Sequence, residues 1–210
     1  MTTVYSQPMI STICNKQQAK RLLLAFGSVL LLGQLNGCAV VAVGAVSATA
    51  VSVSVDRRTA GTQLDDMNAE SKASKLISES DNLRENANIE VTVYNRVALI
   101  TGQAPDQSAI AEAESLVKSI RYIQKIHNQA RVGEPIAGST VLYDRWLATK
   151  IRTKILASDK VPTSQISIIV EDSEVFLMGL VTNQEATAAV EIARHVDGVA
   201  RVIRAFEIYQ

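Results

Sequence analysis

Catalysis requires a nucleophile, a tuned acid or base, or a metal cage, and this chain of 210 residues offers few candidates for any of them. Its two cysteines are Cys14 and Cys38, and its two histidines are His127 and His195. Neither histidine sits in a triad-like or metal-binding cluster. The adjacent acid pairs Asp65-Asp66 and Glu171-Asp172 read as cap and turn residues, where short carboxylates satisfy backbone donors. Calcium at either pair would need more oxygen ligands than the local sequence supplies. There is no G-x-S-x-G, no H-E-x-x-H and no phosphate-cradling glycine loop. The sequence therefore predicts no catalytic residue, no metal site and no cofactor.

One constellation does look placed for recognition, Asp144-Arg145-Trp146-Leu147-Ala148-Thr149-Lys150-Ile151-Arg152-Thr153-Lys154-Ile155. At about 100° per residue, Leu147, Ala148, Ile151 and Ile155 share the face that a helix must bury. Trp146, the chain's one tryptophan, falls outside that arc beside Thr149, Lys150, Thr153 and, further round, Lys154. Trp combines an apolar body with a polar N–H and prefers membrane interfaces, and nearby Lys and Arg attract anionic headgroups. Arg145, Lys150, Arg152 and Lys154 stand against Asp144 alone. The other reading of this pattern is a Trp tucked against a neighbouring domain behind a solvated charged face.

Such a helix must be carried by a folded body, and the front of the chain bears on where that body sits. Lys16, Lys20 and Arg21 precede the apolar run Leu22–Leu32, about a dozen residues, within signal-peptide range and too short to span a bilayer. Leu35-Asn36-Gly37-Cys38 then resembles the bacterial lipobox, in which the Cys is acylated and becomes the new N-terminus after cleavage. Asn36 is an unusual residue for its position, and Met9 would give a tidier start than Met1. The expected organisation is a lipoprotein signal peptide at 1–37 and a lipidated N-terminus and linker at 38–63. Ala39 rather than Asp after Cys38 points, by the same resemblance, to the outer membrane. Without the leader the chain has 18 bases against 21 acids, about −3, so no nucleic-acid binding is implied. It also retains no cysteine but Cys38, which suits an oxidising periplasm and removes disulfide, zinc and thiol chemistry.

The body is written twice. Ile89–Val93 and Ile166–Val170 alternate like half-buried strands, each followed by a polar turn and a second strand, Val97–Gly102 and Glu174–Gly179. Gly102 and Gly179 lie 77 positions apart, in register with the repeat, and read as a bend or a close backbone approach. Helices follow, capped by Asp106 in the first copy and Asn183 in the second. Closing strands come at Ile123–Ile126 and Val199–Ile203. A helix opens each copy, around Asp66–Ser80 and Asp144–Ala157. Gly133–Gly138 breaks the pattern, permitting a hinge, although two copies of one unit could equally bury a shared face. The expected units are 64–132 and 140–210, joined by a linker at 133–139.

Val175-x-Leu177-x-Gly179 and Gly198-Val199-x-x-Val202 resemble the BON domain, a small periplasmic α/β module. The first copy departs from that pattern, with Arg121-Tyr122 in place of Gly-Val. A lipobox followed by two such copies resembles the dual BON-domain outer-membrane lipoproteins. The resemblance implies an α+β fold of two tandem BON domains, each α-β-β-α-β with a small three-stranded mixed sheet packed on two helices. It further implies a non-enzymatic lipoprotein facing the periplasm, anchored at Cys38 and enriched at division sites, that supports envelope integrity. In that family the first helix of the second BON domain binds anionic phospholipid such as cardiolipin and phosphatidylglycerol. Carried over, this assigns lipid contact to Trp146, Leu147, Thr149, Lys150, Arg152, Thr153 and Lys154. The alternative is a protein-interaction scaffold for outer-membrane assembly or for regulators of cell-wall amidases, since a Trp–Arg patch also suits a protein hot spot.

Overall fold

The computed structural model describes residues 56–209; the leader, Cys38 and residues 39–55 lie outside the described residues. The first unit opens with helix α1 (Ala60–Glu79) and a short α2 (Asp81–Asn86), followed by strands β1 (Asn88–Tyr94) and β2 (Val97–Ala104). Helix α3 (Gln107–Lys118) then leads into strands β3 (Lys125–Asn128) and β4 (Arg131–Val132). The second unit repeats the theme with α4 (Gly138–Leu156), β5 (Ile166–Glu171), β6 (Glu174–Val181), α5 (Asn183–Arg194) and β7 (Arg201–Ile208). In each unit an antiparallel hairpin gains a parallel third strand after its helix, giving mixed sheets in the orders β1-β2-β3 and β5-β6-β7. This is the α+β arrangement the repeat implied.

Strand periodicity decides what each sheet covers. One face of the first sheet, with Val91, Val93, Ala98 and Ile100, packs on Ala73, Ile77, Ala113 and Val117 of the helices. The matching face of the second, with Ile166, Ile168, Val175 and Leu177, packs on Leu147, Ile151, Ile155, Ala189 and Ala193. Alternation by two turns the intervening side chains the other way. There Tyr94, Val97 and Leu99 meet Phe176, Met178 and Ala205 in a third apolar cluster joining the two sheets. Of the two readings of the repeat, the structure has the shared face. The order of layers is helices, sheet, sheet, helices.

Two devices recur in both copies. Each hairpin turns on two residues with positive φ, Asn95 and Arg96 at 48° and 66°, Asp172 and Ser173 at 50° and 64°, a tight reversal matched to strand twist. Each turn is clamped from the opening helix by a buried aspartate. Asp66 accepts the amides of Asn95 and Arg96 at 2.7 and 3.0 Å, and Asp144 those of Asp172 and Ser173 at 2.7 and 2.9 Å. The paired glycines mark close backbone approach: a Cβ on Gly102 would stand 1.8 Å from the Asn88 carbonyl oxygen, and one on Gly179 2.3 Å from that of Gln165.

The structure corrects several boundaries. Helix α1 begins six residues before Asp66, so Asp66 is a buried helical residue rather than a cap. Helix α4 begins at Gly138, six residues before Asp144. The third strand of the first unit starts at Lys125, not Ile123, because the Ile123 amide still bonds the Ile120 carbonyl in the turn leaving α3. That strand resumes as β4 beside Gln103 and Ala104, so the first sheet has four strands rather than three. Helix α5 is capped by Thr182 rather than Asn183, through a capping box in which Thr182 and Glu185 satisfy each other's backbone donors. The last strand runs from Arg201 to Ile208, later and longer than Val199–Ile203. Asp106 caps α3 as expected, accepting the Ala109 amide at 2.9 Å.

Candidate functional site

Helix α4 carries the predicted recognition residues, and packing fixes which way it faces. Asp144, Leu147, Ile151 and Ile155 are buried against the second sheet and α5, as the 3.6-residue period requires. Ala148 is only half-buried, and Leu147 is fully buried, so Leu147 is a core residue rather than a surface contact. Trp146 lies outside the buried arc and is 53% exposed; it is not tucked against the other unit.

Because α4 starts earlier than its sequence pattern suggested, and because its last residue also faces outward, the outward stripe is longer than the predicted set. Leu142 is 66% and Leu156 70% exposed, and both lie close to the outward line through Trp146, Thr149 and Thr153. From Leu142 to Leu156 this stripe runs about 21 Å along one side of the helix. The hydroxyls of Thr149 and Thr153 donate to the carbonyls of Arg145 and Thr149 at 3.0 and 2.9 Å, so the stripe presents no unsatisfied donor at those positions. Tyr143, also exposed, stands beside Trp146 with ring centroids 5.5 Å apart.

Cations flank the stripe on both sides. Lys150 and Lys154 fall on one side, Arg145 and Arg152 on the other, and none forms an ion pair among the described residues. The helix's single acid, Asp144, is spent inward on the β5–β6 turn, so the exposed face carries four positive charges and no negative one. The Lys150 ammonium stands 4.6 Å from the Trp146 ring centroid and donates to the Asp197 carbonyl at 3.3 Å, which fixes both side chains. Gly198 makes room for this corner: a Cβ there would lie 2.1 Å from the Tyr143 hydroxyl. An apolar strip between rows of unpaired cations can enter a headgroup layer apolar side first while the cations meet phosphates.

Sequence reasoning missed Leu142, Tyr143 and Leu156. The signal was present, since 142, 146, 149, 153 and 156 recur at helical spacing: Leu156 lay within the expected helix, while Leu142 and Tyr143 join it only if the helix is extended through Val141 to Gly138. The histidines stand apart from this face. His195 Nδ1 lies 2.6 Å from the Glu191 carbonyl oxygen on the surface of the second unit. His127 Nε2 is buried in the first unit without a hydrogen-bond partner, and burial, aided by Lys125, pushes its pKa below the ordinary value. Among the described residues no three His, Cys, Asp or Glu side chains are grouped to hold a metal, and no helix is long and apolar enough to cross a membrane.

Two copies of a helix-covered mixed sheet, each with a helix-borne aspartate on its hairpin turn and a glycine in the same strand position, define a tandem-repeat α+β protein. The BON-domain family profile matches residues 65–134 and 143–209, and the chain belongs to that family. It is 38% identical over 156 residues to the "21 kDa hemolysin" of Actinobacillus pleuropneumoniae, covering 74% of this chain and 80% of that one. It is 30% identical over 188 residues to "Outer membrane lipoprotein DolP" of Haemophilus influenzae, covering 90% and 95%. The "Osmotically-inducible protein Y" of Escherichia coli matches at 28% over 145 residues, 68% and 72% of the two chains.

Proposed function

We propose that the chain is a non-enzymatic lipoprotein of the outer membrane, facing the periplasm, held by an acylated Cys38 and carrying α4 as a second contact selective for anionic phospholipid. The observation that supports it most is the α4 face: Leu142, Trp146 and Leu156 exposed in line, with Arg145, Lys150, Arg152 and Lys154 unpaired on both flanks. Burying such side chains contributes about 1.5–3 kcal/mol each, and each cation near an anionic surface about 1 kcal/mol. A signal-like leader ending in Leu-Asn-Gly-Cys and the similarity to a protein titled outer membrane lipoprotein support the location. Acyl chains secure attachment, so α4 governs where on the membrane the protein gathers. On this reading it collects where cardiolipin or phosphatidylglycerol accumulates, the division site included, and supports envelope integrity there.

The test is tryptophan emission from the soluble chain beginning at Asp56, titrated with anionic and then zwitterionic vesicles. Trp146 is the sole fluorophore of its kind and starts exposed. A blue shift with anionic lipid alone, weakened by salt, is the expected result. Emission unmoved by either lipid would overturn the lipid reading and turn attention to a protein partner on the same face, such as assembly machinery or an amidase regulator.

A further inference from the structure

The residues through which the chain enters its folded part bind both repeats at once. Arg57 belongs to the second repeat. Its amide donates to Gln165 Oε1 at 2.8 Å, its guanidinium to both oxygens of Glu185 at 2.7 and 2.8 Å and to the Leu180 carbonyl at 3.0 Å, and its charge lies 5.0 Å from the Tyr209 ring centroid. Arg58 belongs to the first. It pairs with the buried Asp66 at 2.9 Å and stacks 3.6 Å over the Tyr94 ring, while Asp56 holds its amide and guanidinium from behind. Between them runs the direct bond from the Tyr94 hydroxyl to the Gln165 carbonyl at 3.1 Å. Two consecutive arginines are thus committed to opposite halves of the molecule. A merely solvated Asp-Arg-Arg run would make none of these contacts, and bidentate Arg–carboxylate pairing is among the stronger polar contacts available.

The position of this segment relative to α4 gives it a consequence. Arg58 and Arg152 line one cleft of about 580 Å³, together with Thr92, Tyr94, Ser164 and Ser167. The chain therefore reaches the body beside the Arg flank of the membrane-facing stripe. We propose that Asp56-Arg57-Arg58 is a strap that fixes the exit of the membrane tether beside the cleft Arg58 shares with Arg152 of α4, so that anchoring through Cys38 presents the Leu142–Trp146–Leu156 stripe to the same membrane. This rests on the lipid reading of α4. Anchoring makes the second contact intramolecular, a fixed exit keeps its effective concentration high, and a loosened one dilutes it.

The experiment uses the full lipidated chain reconstituted in vesicles of graded phosphatidylglycerol content, with Trp146 emission as readout. Arg57→Ala/Arg58→Ala removes the strap and two positive charges. Glu185→Gln weakens the same strap while removing a negative charge, so a loss common to both variants cannot come from net charge. Each variant is first checked for a cooperative unfolding transition and for hydrogen exchange at residues 57 and 58, which should quicken while the sheet amides stay protected. The expected result is that both anchored variants need a higher anionic fraction than the parent, by roughly 1.3-fold or more, to reach half the blue shift. Their unlipidated Cys38→Ser forms should bind vesicles in the order charge alone dictates. Equal midpoints for parent and variants, with exchange at 57 and 58 raised, would overturn the strap. No shift in the anchored parent at any anionic content would overturn the lipid reading itself.

Discussion

Asp144 accepts the Ser173 amide at 2.9 Å across 29 residues of chain, and its other oxygen takes the Asp172 amide at 2.7 Å, so a buried charge is spent closing a hairpin turn. Such a carboxylate is tolerated because both oxygens face donors. Asp144→Asn turns an amide NH2 toward one of those donors and should cost about 2–3 kcal/mol. Asp66→Asn should cost more, because Asp66 also holds Arg58 and the Tyr122 hydroxyl, both at 2.9 Å. Urea midpoints of the two variants against the parent check the size and the order.

These aspartates also mark the limit of what one dimension reveals. The twofold repeat, the paired glycines and the exposed Trp146 were legible, because each depends on local period or on residues a fixed distance apart. The burial of Asp66 and Asp144 was not, since their partners lie about 30 positions away and acids are ordinarily assigned to surfaces. The face shared by Tyr94, Val97, Leu99, Phe176, Met178 and Ala205 left a weaker trace. Strand β2 is buried along its whole length, and its apolar run Val97–Ile100 already suggests cover on both sides. The Thr182–Glu185 capping box was written plainly in the sequence, but the neighbouring Asn183 offered a competing cap.

The two glycines at close approach should respond very differently from those in the connection between repeats. At Gly102, with φ 107° and the Asn88 carbonyl oxygen 1.8 Å from any Cβ, Gly102→Ala must push strand from strand and should cost about 3 kcal/mol or more. At Gly133 nothing lies within 4 Å of a Cβ, so Gly133→Ala should be neutral or stabilising by under about 1 kcal/mol. Thermal midpoints of the pair distinguish backbone crowding from a general intolerance of side chains.

Two groups should shape stability in acid, at separate pH. Hydrogen bonds from Arg57 hold the Glu185 carboxyl at about 2, below its ordinary 4.5. Its folded pKa is depressed, so its contribution is complete above pH 4.5 and is lost as pH falls from there toward 2. Burial holds His127 below its ordinary 6.5, so the fold favours the neutral ring. That contribution is complete above pH 6.5 and is lost as pH falls below it. Denaturation midpoints measured from pH 8 to 2 should flatten below 6.5 in His127→Gln, and below 4.5 in Glu185→Gln. A parent curve that both variants reproduce would remove either group as the cause.

Exposed apolar side chains occur on the opening helices of both repeats, which allows the α4 stripe to be separated from general stickiness. Leu64 and Met67 on α1 are 58% and 68% exposed, nearly as much as Leu142 and Leu156 on α4. The surroundings differ in sign: α1 carries Asp65, Asp66, Glu70 and Glu79 against Lys72 and Lys75, while α4 carries four cations and one inward acid. If contact with anionic lipid requires both an apolar strip and flanking cations, Leu156→Glu should weaken vesicle binding by roughly tenfold or more, through lost burial and added repulsion. Trp146→Glu should do at least as much, and Leu64→Glu should do almost nothing. Arg152→Gln should act chiefly on the salt dependence, lowering affinity at low ionic strength and little at high. Vesicle co-sedimentation of the four variants at two salt concentrations reads all of this at once. Equal losses from Leu64→Glu and Leu156→Glu would mean that exposed apolar surface anywhere suffices, and the cation rows of α4 would lose their assigned part.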